Sequence, residues 1–240
     1  MPSPARFTAG VGTAPKGSVL WNYPYPDPTR ATYEYFNDFD TYVSGDWTRT
    51  AIGTGTSALL ADEPFGALAN VNSAADNDGI QMQLTTENFT ISTGKKAWFK
   101  ARFKISDATE SDFILGLCVL DSTLLGSVDG DGFTDGIYFS KEDGDTQLDF
   151  GCQKDTTTGQ LRTTNIATVG TSYMTVGFEW DGVRYIKYFV DDVQKGTLDL
   201  TATSSAYMPD TPLTVSFGHL NGAAAAKTMT IDYVFAAIER

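Results

Sequence analysis

The stretch MTVGFEWDGVRYIKYFVDDVQKGTLDL, Met174 to Leu200, decides the fold. In its first run Met174, Val176, Phe178 and Trp180 fall to one side, because a strand sends alternate side chains to opposite faces. Ile186, Tyr188 and Val190 line up in the same way in the second run. Between the two stands Asp181-Gly182, a pair suited to a tight turn that needs positive φ. Asp191-Asp192 makes another turn before VQKGTLDL. Residues 173–200 therefore read as an antiparallel meander of three strands.

The same reading extends along most of the chain from Tyr33. In WFKARFKIS, Phe99, Ala101, Phe103 and Ile105 share one face, and Trp98, Lys100, Arg102 and Lys104 share the other. The last run, KTMTIDYVFAAIE, places Met229, Ile231, Tyr233 and Phe235 together. No stretch has convincing helical periodicity. GAAAAK, Gly222 to Lys227, is too short to stand alone as a helix and reads as a loop. Antiparallel sheets packed in two layers are the architecture this pattern predicts.

Residues 1–32 differ. They are rich in Pro, Gly, Ala and Thr, and prolines 24, 26 and 28 favour an extended path. The segment carries Trp21, Tyr23 and Tyr25, large side chains that gain from burial. Two readings are open: a strap lying on its own domain, or an arm docking on a neighbour. The expected organisation is an extended arm over 1–32 and a β-sandwich domain over 33–240.

The 240 residues can form one domain, and a formal net charge of −13 argues against a nucleic-acid surface or an anionic membrane as partner. MPSPARFTAG lacks the apolar core of a secretory signal. Cys118 and Cys152 lie in apolar, strand-like runs. They could pair across neighbouring strands, but they read as buried thiols.

The residues GFEWDGVRYIKYFVDDVQKG resemble the concanavalin-like jelly-roll group, which includes legume-type lectins, laminin-G-like modules and laminarinase-type glucanases. Phe178, Glu179, Trp180, Tyr188, Val190, Asp191 and Asp192 carry that resemblance. It implies an all-β fold, an antiparallel two-sheet β-sandwich of jelly-roll type, here with an extended N-terminal arm. The whole chain is also similar to small virion proteins of podovirus-like tailed phages, through the Pro-rich arm, YEYFNDFDTY (Tyr33 to Tyr42) and the closing strand with Thr230-Ile-Asp-Tyr-Val234. That resemblance implies a capsid-decorating role.

Catalytic patterns are sparse. Retaining glycosidases need two carboxylates close together. The nearest fragment to the Glu-x-Asp-x-(x)-Glu strand of laminarinase-type enzymes is Glu110-Ser-Asp112, which lacks its second glutamate, and Glu179 has no partner two residues on. His219 is the single histidine, and no G-x-S-x-G elbow accompanies it. DGDGFTDGIYF, Asp129 to Phe139, fails the EF-hand spacing. Phe133 stands where a third Asp belongs, and Ser140 where the bidentate Glu belongs. Asp129, Asp131 and Asp135 read as turn residues, and a lectin-type calcium site drawing also on Asp121 and Asp143 is the alternative.

The leading expectation is a non-enzymatic virion protein on the capsid surface, assembled in the host cytoplasm and without a cofactor. It would cement the shell by docking on the major capsid protein or other virion subunits through Trp21, Tyr23 and Tyr25, and through Lys100, Arg102 and Lys104. Cross-strand charge pairing is the simpler account of that basic ladder, and self-association is open. The alternative is a carbohydrate-binding module that stacks glycans on Trp47, Trp98 or Trp180. A glycosidase using Glu110 or Glu179 is the third expectation.

Overall fold

A computed structural model describes residues 17–20, 32–126, 132–155, 160–200 and 205–240. Trp21, Tyr23, Tyr25, Asp129 and Asp131, which the sequence singled out, lie outside the described residues.

Among the described residues, fifteen strands follow one another: β1 (Thr32–Asn37), β2 (Trp47–Ile52), β3 (Thr56–Leu59), β4 (Leu68–Val71), β5 (Gly79–Leu84), β6 (Ala97–Ile105), β7 (Ser111–Cys118), β8 (Gly136–Lys141), β9 (Gln147–Gln153), β10 (Gln160–Thr168), β11 (Met174–Trp180), β12 (Tyr185–Val190), β13 (Val193–Asp199), β14 (Thr214–Asn221) and β15 (Thr228–Glu239). They form two antiparallel sheets. One runs β13-β12-β11-β6-β15-β4-β3, with β1 also paired to β15. The other runs β10-β9-β8-β7-β14-β5-β2. The chain is a jelly-roll β-sandwich.

The meander is β11-β12-β13, with the turns where the sequence puts them. Gly182 has φ of +83°, and the Asp181 carboxylate accepts the amides of Val183, Arg184 and Tyr185. Asp191 and Asp192 both have positive φ, 49° and 60°, the conformation that joins twisted strands in a two-residue hairpin.

The main core lies between the sheets. Phe99 stacks on Phe178 with centroids 5.5 Å apart, Phe103 meets Phe113 across the layers at 5.0 Å, and Phe150 meets Tyr188 at 4.8 Å. Each fully buried ring of this size contributes about 1.5–3 kcal/mol of transfer free energy.

β15 departs from the sequence reading. Met229 and Ile231 are in the core, but the pairing with β6 slips between Ile231 and Tyr233. That bulge sends Tyr233 and Phe235 away from the core and turns Val234, Ala236 and Ile238 into it. One extra residue reverses the alternation, so a strict period of two mis-assigns everything beyond it.

Cys118 and Cys152 are free and buried. Pairing between them is excluded, because Cys152 belongs to the main core while Cys118 faces out of the same sheet into a second cluster. Burial pushes both thiols up. In the described part of the N-terminal segment, Val19 is buried with its side chain over Gly177 of β11. A Cβ at Gly177 would sit 3.0 Å from Val19, so the segment rests on its own domain there.

Candidate functional site

The outer face of the seven-stranded sheet holds the most chemistry. On β7 the residues between Phe113, Leu115 and Leu117 are Asp112, Ile114, Gly116 and Cys118, so these four face outward. β14 contributes Ser216, Gly218 and Leu220 beside them. β8 and β9 contribute Tyr138, Ser140, Asp149 and Gly151.

Much of this face is sealed by the chain itself. The described parts of the connection between β7 and β8, residues 119–126 and 132–135, lie over it. Leu124, Leu125 and Phe133 pack with Ile114, Cys118, Tyr138 and Leu220 into a second hydrophobic cluster. Glutamine amides on the sheet tie the connection down. Gln83 donates to the Val119 carbonyl at 2.9 Å and accepts from the Asp121 amide at 3.0 Å. Gln81 bridges the Asp121 carbonyl at 2.5 Å and the Leu125 amide at 3.3 Å. Gln153 donates to the Phe133 carbonyl at 2.6 Å. Glycine makes room for the rings: a Cβ on Gly151 would lie 2.8 Å from the Tyr138 ring, and one on Gly136 would lie 2.7 Å from Phe133. Buried amides satisfied at both ends stabilise such a contact and specify its register.

An acidic rim borders the sealed area, where β7 begins and β8 turns into β9. Asp112 is buried, and one of its oxygens accepts the Asp143 amide. Burial, reinforced by the charge of nearby Asp143, raises Asp112 to about 6. Arg162 of β10 pairs with Asp149 at 2.5 Å and with Glu142 at 2.7 Å. Lys141 turns under the rim, where its ammonium donates to the carbonyls of Ser111 at 2.5 Å and Glu142 at 2.6 Å. Burial lowers its pKa.

The other candidate residues are scattered. Lys100 pairs with Asp192 at 2.7 Å, Arg102 pairs with Asp232, and Lys104 sits over the Tyr173 ring at 4.4 Å. The basic ladder is thus engaged on the outer face of the eight-stranded sheet. Trp47, Trp98 and Trp180 are all buried, so none of the three offers the open stacking platform that the carbohydrate-binding expectation required. Asp135 is buried, and its carboxylate accepts the Asp210 amide at 3.3 Å. Among the described residues no group of three or more His, Cys, Asp or Glu is placed to hold a metal ion.

Glu179 belongs to β11 of the eight-stranded sheet, 3.4 Å from Lys187, and is remote from β7. Glu110 precedes β7 by one residue. These two glutamates do not form a catalytic pair. His219 faces the main core in line with Val215 and Phe217, away from the rim. Asp112 was visible as part of the fragment Glu110-Ser-Asp112. Its companion Asp143 comes from another hairpin, 31 residues on, and no spacing in the chain signals that meeting.

No protein-family model matches the chain, and no curated protein matches its sequence. Solved structures do match its fold. An endo-1,3-β-glucanase from Streptomyces sioyaensis aligns at a TM-score of 0.61 and 14% identity, over 89% of this chain and 98% of that one. The laminarinase catalytic domain from Thermotoga maritima aligns at 0.59 and 14%, over 85% and 96%. A protein of unknown function from Shewanella oneidensis aligns at 0.58 and 16%, over 88% and 87%. At this identity the likeness is one of fold, and the fold is the concanavalin-like jelly roll. The expectation of a non-enzymatic, capsid-decorating virion protein is overturned by these neighbours. The architecture the chain shares over nearly its whole length is that of a glucanase and a laminarinase.

Proposed function

We propose that the protein is carbohydrate-active and cleaves glycosidic bonds at the acidic rim of the seven-stranded sheet, with Asp112 as the acid. The observation that carries this reading is that the Asp143 amide, from another hairpin, donates to the buried Asp112 carboxylate, and the nearby Asp143 charge helps to raise Asp112. Glycoside hydrolysis needs one carboxyl that gives a proton and another that takes one. Separating the titration of two neighbouring carboxyls is how a protein assigns those roles. Asp112, raised to about 6, is the proton donor to the leaving oxygen as the bond to the anomeric carbon breaks. Asp143, exposed beside it, takes the proton of the water that adds to that carbon. Arg162, held by Asp149 and Glu142, would bind a sugar hydroxyl.

The fold shared with a glucanase and a laminarinase supports β-glucans as the first substrates to try. The test is reducing-sugar release from laminarin and mixed-linkage β-glucan. Turnover should fall as pH rises through about 6, where Asp112 loses its proton. Asp112→Asn keeps the acceptor for the Asp143 amide but removes the acid, and should cost about 100-fold or more. Turnover unchanged in that variant, or no turnover by the natural chain on any glucan, would reject the reading.

A further inference from the structure

The end of the sandwich holds a cavity of about 310 Å³ that is separate from the acidic rim. That volume is at the small end of the range for ligand sites. Its floor is apolar: Trp180 at the end of β11, Ile91, Leu200 after β13, Met208 and Pro209. Its rim is polar. Lys154 after β9 and Asp210 form an ion pair there, and Ser92 and Thr93 also line the cavity. The Trp180 indole N–H donates to the Ser92 carbonyl at 3.5 Å, a long contact at the edge of the cavity.

A floor without charge beneath a paired cation and anion selects a ligand with one apolar face and a ring of hydroxyl groups. A pyranose has that form: its axial C–H bonds make a hydrophobic face, and its equatorial hydroxyls both donate and accept. A carboxylate and an ammonium side by side can accept from one hydroxyl and donate to the next, so vicinal diols suit this rim better than a single charge would. A fatty chain would leave the ion pair without new partners. An anion would be repelled by Asp210.

The geometry points to a secondary sugar-binding site at this cavity, which takes one pyranose unit of a glycan over the apolar floor, where Trp180 shows only an edge, with its hydroxyls on Lys154 and Asp210. It rests on the carbohydrate reading above but uses none of the rim residues. Such a site holds the polysaccharide to the protein away from the point of cleavage, and it raises the local substrate concentration there.

The experiment uses the Asp112→Asn protein, in which cleavage cannot consume the ligand, with indole nitrogen-15 labelling. The Trp180 indole signal is assigned by its loss in Trp180→Phe. Methyl β-glucoside, methyl β-galactoside and methyl α-mannoside are titrated in turn. The expected result is a saturable shift of the Trp180 signal with at least one of them, at a Kd on the order of 1 mM. Asp210→Ala should weaken that binding about tenfold or more, and Thr93→Trp should block it by filling the cavity. Both substitutions fall on exposed side chains, and an unchanged amide spectrum verifies the fold. A Trp180 signal that moves with none of the three glycosides overturns the inference. So does a shift that survives both variants, or one produced equally by benzoate. Failure here leaves glucan turnover as measured, and loss of turnover in Asp112→Asn does not touch this titration, so the two proposals fail separately.

Discussion

The sandwich has two hydrophobic clusters on opposite faces of one sheet, and they are built differently. The main core between the sheets takes side chains from both sheets in alternating positions, and contacts such as Phe99–Phe178 and Phe150–Tyr188 join residues far apart in sequence. The second cluster, on the outer face of the seven-stranded sheet, is closed by the connection between β7 and β8 and held by glutamine amides. The first exists because two sheets must bury a face each. The second exists because one connection is long enough to lie down on a face that would otherwise be wet. The main core should therefore unfold with the whole domain, while the second cluster can open locally.

Removing a ring from the main core gives the largest expected effect. Phe178 stacks on Phe99 and touches Phe150. Phe178→Ala should lower unfolding stability by about 3–5 kcal/mol, read as a reduced urea midpoint at constant slope. A loss below 1 kcal/mol would show that the sheets collapse into the space and that the core is less tightly shared than described.

Acid gives the next effect. His219 faces the main core, and burial lowers it to about 4, with the Lys227 backbone opposing part of that shift. The unfolded chain binds a proton near the ordinary value of 6.5, while the folded protein does not until about pH 4. The unfolded state therefore carries more protons in that window, and stability falls as the pH drops from about 6.5 towards 4. The total is about 3 kcal/mol. His219→Met should flatten that slope, as followed by urea titrations across the window. A slope left intact would move the acid sensitivity to other groups.

The smallest effect is expected at the second cluster. Phe133→Ala removes a buried ring there, yet the loss is capped by the cost of releasing the connection alone. We expect no more than about 2 kcal/mol in global stability. Hydrogen exchange should instead accelerate at the Asp121 and Leu125 amides that Gln83 and Gln81 hold. A global loss as large as that of Phe178→Ala would mean that the two clusters unfold as one unit.

The fold was legible where local chemistry and the two-residue period agree. The strand Ala97–Ile105 buries the four residues its alternation names, and both meander turns fall on their Asp-Gly and Asp-Asp pairs. It was not legible at β15, where the bulge at Asp232 shifts the register by one residue. The tryptophans mislead for a related reason: an aromatic ring on a strand reads equally as core or as platform, and only packing decides which. Asp112 was visible as a carboxylate but not as an acid, because its burial and its neighbour Asp143 come from a separate hairpin.

The sequence by itself determined an all-β sandwich, its meander, its turns and the inward faces of its regular strands. Those depend on φ preference and on alternation within a few residues, which the chain carries locally. Only the tertiary structure decided that Cys118 and Cys152 lie on opposite faces of one sheet, that three tryptophans are buried, and that a connecting segment closes the outer face. It alone brought Asp112 to Asp143, and Trp180 to Lys154 and Asp210. Burial and proximity are sums over distant segments, and a charge takes its pKa from that sum rather than from its neighbours in the chain.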